Sequence, residues 1–117
     1  MSYIQGFVVP VPTAKKEAYI KLAKASGPIF MEYGASRIVE NWSESTPDGK
    51  VTDYKKAVKA EADEAVVFSW IEWPDKATCD AAAAKMESDP RWEKMGDMPF
   101  DGKRLIYAGF ETIFESV

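Results

Sequence analysis

The sequence predicts an α+β domain of the ferredoxin-like kind: a four-stranded antiparallel sheet built in the order βαββαβ, with both long helices on one face. Three observations predict it. The 117 residues alternate strand-like and helix-like patterns in that order. The clearest strand, Val66 to Trp73, is apolar on both of its alternating sets. The length fits one domain, residues 1–117, without repeats, low-complexity tracts or a linker.

Tyr3 to Val11 reads as the first strand. Gly6 inside it predicts a bulge or a close backbone approach. Pro12 and Thr13 mark a helix start, with Thr13 as the N-cap. That helix runs to about Tyr33, with Ala18, Leu22, Ala25, Ile29 and Tyr33 as its buried stripe. Pro28 lacks an N–H and crowds the preceding turn, so a kink or short break is expected at Gly27-Pro28. Gly34 suits the left-handed residue just past a helix end.

The second strand spans Ala35 to about Ser43. Ser45 to Glu64 is polar and holds the turn signal Pro47-Asp48-Gly49. Within it, Thr52 can cap a short helix over Asp53 to Val58; the same residues also suit an extended hairpin. The third strand, Val66 to Trp73, ends at Pro74 and Asp75. The second long helix follows to about Met86, favoured by the run Ala81 to Ala84, with Cys79, Ala82, Ala83 and Met86 on one face. Asp89 and Pro90 read as the cap and first residue of a short piece ending near Gly96. Asp97 to Gly102 is a loop whose Asp101-Gly102 turn sets the register of the fourth strand, Lys103 to about Phe114.

Side chains alternate across a strand. The third strand divides into Val67, Ser69, Ile71 and Trp73 against Val66, Phe68, Trp70 and Glu72. The first divides into Ile4, Gly6 and Val8 against Tyr3, Gln5, Phe7 and Val9, and the fourth into Ile106, Ala108 and Phe110 against Leu105, Tyr107 and Gly109. A sheet with one wet face should show polar residues at alternate positions, and this one does not. Leaving ~400 Å² of apolar surface bare forgoes on the order of 10 kcal/mol before association costs. A second copy of the chain is the expected cover; the alternative is the polar segment 45–64 folded back as a lid.

Composition narrows the chemistry. The net charge is −4 without a basic cluster, and Lys50, Lys55, Lys56 and Lys59 are interleaved with Asp53, Glu61, Asp63 and Glu64. Nucleic-acid binding is not expected. No apolar run approaches the ~20 residues of a membrane helix, and Pro10 and Pro12 interrupt the apolar start, so a cytoplasmic location is expected. The single cysteine, Cys79, allows no intrachain disulfide and suits a reducing compartment. Histidine is absent, which excludes Ser-His-Asp and Cys-His catalysis, the ordinary zinc sites that use histidine, and histidine-ligated haem. No cofactor or metal is expected.

Several stretches carry a family resemblance. Gly6-Phe7-Val8-Val9, Gly34-Ala35-Ser36-Arg37-Ile38-Val39-Glu40, Pro47-Asp48-Gly49-Lys50-Val51-Thr52-Asp53 and Val66-Val67-Phe68-Ser69-Trp70-Ile71-Glu72 resemble the YbaA-like bacterial proteins. So do Ser88-Asp89-Pro90-Arg91 and Met98-Pro99-Phe100-Asp101-Gly102-Lys103-Arg104, and together they cover nearly the whole chain in order. That family is a domain of unknown function within the dimeric α/β-barrel superfamily of ferredoxin-like dimers. The superfamily includes cofactor-independent monooxygenases, haem-degrading enzymes, muconolactone-isomerase-like enzymes and proteins without known activity. The resemblance implies the fold and a homodimer, and carries over no catalytic residue.

The candidate pocket residues are Gln5, Phe7, Glu40, Trp42, Trp70, Glu72 and Tyr107, expected to converge between two sheets of a dimer. An apolar cavity with a few polar groups is how small-molecule sites are built. A desolvated Glu40 or Glu72 has a raised pKa and suits a general base. The competing expectation pairs both carboxylates with Arg37, Arg104 or water at strand ends. Two functions follow. One is a binder or cofactor-independent oxygenase or isomerase-like enzyme for a small apolar or acidic molecule. The other is a non-enzymatic interaction or stress-associated dimer.

Overall fold

A computed structural model describes residues 2–117. Its elements run β1 (Tyr3–Pro12), α1 (Lys16–Glu32), β2 (Arg37–Trp42), α2 (Tyr54–Ala57), β3 (Glu64–Trp73), α3 (Lys76–Ser88) and β4 (Ile106–Glu111). Short 3-10 turns occupy Thr13–Lys15 and Glu93–Met95. The strands form one sheet in the order β2-β3-β1-β4, with every neighbouring pair antiparallel. Each long helix therefore joins two strands that have a third between them, which is the split βαβ arrangement expected from the sequence.

Both long helices lie on the face that carries Val9, Val67, Ile71 and Trp73. Ile71 and Trp73 are buried with Ile29 of α1, with Tyr33 just past its end, and with Cys79 and Ala82 of α3. Val9, Val11 and Val67 form a second buried cluster with Tyr19. β1 and β3 pair without interruption from Tyr3 opposite Trp73 to Pro12 opposite Glu64, so Gly6 marks no bulge. It is a close approach: a Cβ there would sit 3.1 Å from the Phe110 ring. Gly34 has φ +112° at the end of α1, as its helix-ending role requires.

Four local expectations change. Thr13 caps nothing; its N–H and hydroxyl both donate to the Asp63 carbonyl, at 2.9 and 3.1 Å, tying the chain just before α1 to the residue preceding β3. Helix α1 runs through Pro28 unbroken. Pro28 is on its exposed side, where water can take the carbonyl that the missing N–H leaves free. The inward stripe of α1 is shifted: Leu22, Ile29 and Tyr33 face inward as expected, but Ala18 and Ala25 are exposed and Tyr19, Ala23 and Ser26 turn inward. The segment after β2 takes the helical option, capped by Asp53 rather than Thr52. The Asp53 carboxylate accepts from the Lys56 N–H at 2.7 Å and from the Gly49 N–H at 3.0 Å. These bonds hold its carboxyl below the usual carboxylate range.

The second face of the sheet is partly covered. Tyr54 meets Phe68 there with ring centroids 6.3 Å apart, and Val58 and Val66 are buried. Beyond that end the apolar residues stay bare: Phe68 is 41% exposed and Phe110 53%. The fourth strand stops at Glu111, short of the expected Phe114.

Candidate functional site

The described cavity with the most apolar lining lies between the sheet and α1, on the helix side. It holds about 260 Å³ and is floored by Phe7, Val9, Ile38, Glu40, Ser69 and Ile71. Leu22, Ala23, Ser26 and Phe30 of α1 form one wall, and Met86, Trp92, Met98, Phe100 and Leu105 close the other. The covering segment, residues 89–105, is fastened at both ends by arginines. Arg91 bridges Asp89 and Glu32, and its bonds to Asp89 lower that carboxyl strongly. Arg104 grips Glu64 with two bonds of 2.6 and 2.7 Å and also meets Asp101 at 3.0 Å.

One polar cluster interrupts the apolar lining. Alternation along β2 turns Ile38, Glu40 and Trp42 toward the helices, and Glu40 pairs across to Ser69 of β3. Tyr19 descends from α1 onto the same spot and donates its hydroxyl to Glu40 Oε1 at 2.7 Å. Tyr19 and Ser69 are buried. Glu40 lies on the edge strand and water reaches it through the cavity, yet protein crowds it enough that lost hydration pushes its carboxyl up from the ordinary 4.5. The Tyr19 and Ser69 hydroxyls oppose that shift. Burial first, then the neighbouring Glu40, raises the Tyr19 hydroxyl far above its usual range. An outer cleft of about 390 Å³ shares Tyr19, Ala23, Ile38 and Glu40 with the cavity and has Lys24 on its rim. Glu40 is thus reachable from two sides.

The seven sequence candidates do not converge. Phe7 and Glu40 line the cavity. Trp42 lies at its margin, 6.5 Å from the Tyr19 ring, with the Lys16 ammonium 5.5 Å over its own ring. Gln5 faces the helices but is spent structurally, its Oε1 accepting from Trp73 Nε1 at 2.9 Å. Tyr107 stacks on Phe7 at 6.2 Å near the sheet edge and is mostly exposed. Trp70 and Glu72 lie on the opposite face: Trp70 Nε1 donates to Glu72 Oε2 at 2.9 Å, and Arg37 approaches that carboxylate at 3.6 Å. A single pocket containing both glutamates is therefore corrected, because residues 40 and 72 occupy opposite phases of paired strands. For Glu72 the ion pair with Arg37 holds; for Glu40 the partner is Tyr19, not an arginine.

Sequence reading missed Tyr19 and Ser69. A tyrosine four residues before Ala23 and seven before Ser26 was the available signal for the shifted stripe, and a serine between Phe68 and Trp70 was the signal for a polar contact in the core. The bare face carries a groove of about 200 Å³ lined by Gly6, Val8, Phe68, Ile106, Ala108 and Phe110, with Phe7 and Tyr107 at its edge. Among the described residues, no group of three or more His, Cys, Asp or Glu side chains is placed to hold a metal ion, and no helix is long and apolar enough to cross a membrane. Cys79 is buried, and burial raises its thiol.

Residues 2–102 match the family model described as "Protein of unknown function (DUF1428)". The chain is 59% identical over 116 residues to "Uncharacterized protein YbaA" of Escherichia coli K12, covering 98% of this chain and 99% of that protein. The protein of the same description from Shigella flexneri matches equally, at 59%. Among solved structures, a dimeric ferredoxin-like protein from an uncultured marine organism superposes with a TM-score of 0.58 at 12% identity, covering 99% of this chain and 100% of that one. That likeness supports the ferredoxin-like fold. By the family model and the near full-length identity, the chain belongs to the DUF1428 family of proteins of unknown function.

Proposed function

We propose that the protein binds a small, largely apolar molecule in the cavity between α1 and the sheet, and does so as a homodimer whose bare sheet faces meet. The observation that carries the first part is the cavity itself: about 260 Å³ of apolar wall interrupted by one carboxylate with a perturbed pKa. Glu40 is open to solvent through the cavity and no cation stands on the cavity wall, which leaves its carboxylate available to a molecule that enters. The bare face and the dimeric state of the marine ferredoxin-like protein support the second part. A buried, single cysteine suits a cytoplasmic location.

The test of the cavity is two-dimensional methyl NMR with naphthalene as the probe. Methyl groups of Leu22, Ala23, Ile38, Ile71 and Leu105 are expected to shift, and Ala23→Trp, which fills the space, is expected to abolish the shifts while remote signals persist. Absence of any shift at saturating naphthalene would show that the cavity is not a site.

A further inference from the structure

We infer that the cavity selects neutral molecules carrying a hydrogen-bond donor, with Glu40 as the acceptor that reads that donor; the inference rests on the cavity being the binding site. It follows from counting donors and acceptors on the wall. The cavity's remaining side-chain donors are already engaged. The Ser26 hydroxyl donates to the Ala23 carbonyl at 3.5 Å, and Trp92 Nε1 donates to the Tyr33 hydroxyl at 3.1 Å. The Tyr19 proton goes to Glu40 Oε1 at 2.7 Å. Only the Ser69 hydroxyl remains beside the pair. Against these two protons, from Tyr19 and Ser69, stand two carboxylate oxygens and two hydroxyl oxygens. The cluster has acceptors to spare and is short of donors.

No lysine or arginine lines the cavity among the described residues. A bound carboxylate or phosphate would face the Glu40 carboxylate with no cation on the cavity wall, Lys24 standing only on the rim of the outer cleft. An ether or ketone would find only the Ser69 hydroxyl, which competes for Tyr19 and Glu40, and the Ser26 hydroxyl, whose bond to Ala23 is long at 3.5 Å. A neutral hydroxyl or N–H on an apolar frame satisfies the spare acceptors and buries the remainder of the molecule against Leu22, Phe30 and Ile71. The acidic ligand expected from the sequence is thereby disfavoured on charge, and the apolar one is narrowed to donors.

Three probes of one shape separate the possibilities: 1-naphthol, 1-methoxynaphthalene and 1-naphthoate, titrated by calorimetry at pH 8. We expect naphthol to bind about tenfold tighter than methoxynaphthalene, the worth of one hydrogen bond to a charged acceptor, and naphthoate to bind weakest. Glu40→Gln places an amide donor where an acceptor stood. It is expected to erase most of the naphthol preference and to strengthen naphthoate. Equal binding of naphthol and methoxynaphthalene would overturn the donor rule, as would naphthoate binding as tightly as naphthol or an undiminished preference in the variant. If naphthalene shifts the cavity methyls while the three probes bind alike, the site stands and the selectivity falls. If naphthalene itself fails, the binding site is lost along with the selectivity.

Discussion

Glu40 is held at a cost to the fold. Its folded carboxyl titrates above the ordinary 4.5 because the surrounding protein removes more hydration than the Tyr19 and Ser69 hydroxyls return. A group with a raised folded pKa contributes its full stability below the unfolded pKa and loses it as pH rises through the folded value. Wild-type stability should therefore decline, relative to Glu40→Gln, from about pH 4 upward and level off once the folded carboxyl has ionised. The readout is the difference in melting temperature between the two proteins, measured from pH 4 to 8. A difference that is flat with pH would contradict the placement of this carboxylate. Such an exchange of stability for a poised group is the usual mark of a working site. The residue was legible as a polar interruption in an apolar strand. Its partners were not, because a buried tyrosine is recognisable only once its hydroxyl has somewhere to go, and Glu40 is 21 residues away.

At the level of elements, periodicity carried most of the information. The alternation in β3 assigned each residue to a face, and pairing to β1 and β2 fixed those faces across the sheet. Helix ends were legible where one residue type has one conformational use. Gly34 is such a case, with φ +112° and a Cβ position 2.7 Å from Thr78 Cγ2 of α3. Gly34→Ala should destabilise the protein by about 2 kcal/mol, from the backbone conformation and that clash together. Thr78→Ser removes the methyl while keeping the hydroxyl that bonds Asp75, so it should recover part of the loss in the double variant. Urea unfolding of the two proteins decides this; an unchanged midpoint for Gly34→Ala would refute the helix end as described. Less legible were the features set by distant contacts. Thr13 looks like a cap until Asp63 claims its hydroxyl, and the α1 stripe shifts because Tyr19 meets Glu40. Both depend on contacts across tens of residues that local pattern does not encode.

For the molecule as a whole, the second face of the sheet is the apolar surface left partly uncovered. The segment between β2 and β3 shields Val66 and stops near Phe68, so the lid covers one end only. Val8, Trp70, Ile106, Ala108 and Phe110 remain beside it, Ile106 and Phe110 being 46% and 53% exposed, an apolar patch of the kind that marks interaction surfaces. After β4 the chain leaves the sheet following one bond, Thr112 N–H to the Ser2 carbonyl at 3.2 Å, and then presents Ile113 and Phe114 84% and 80% exposed. Exposed apolar side chains on a tail adjoining a bare apolar face fit the proposed interface if the tail extends it. Light scattering should give twice the chain mass. Phe68→Arg, which sets like charges opposed across a two-fold axis, should give the chain mass with unchanged circular dichroism. Phe114→Asp should weaken the dimer about tenfold or more, the value of burying one large apolar side chain. A wild-type protein at the chain mass in dilute solution would remove the shared interface. A normal dimer constant for Phe114→Asp would confine the interface to the sheet face and leave the tail outside it.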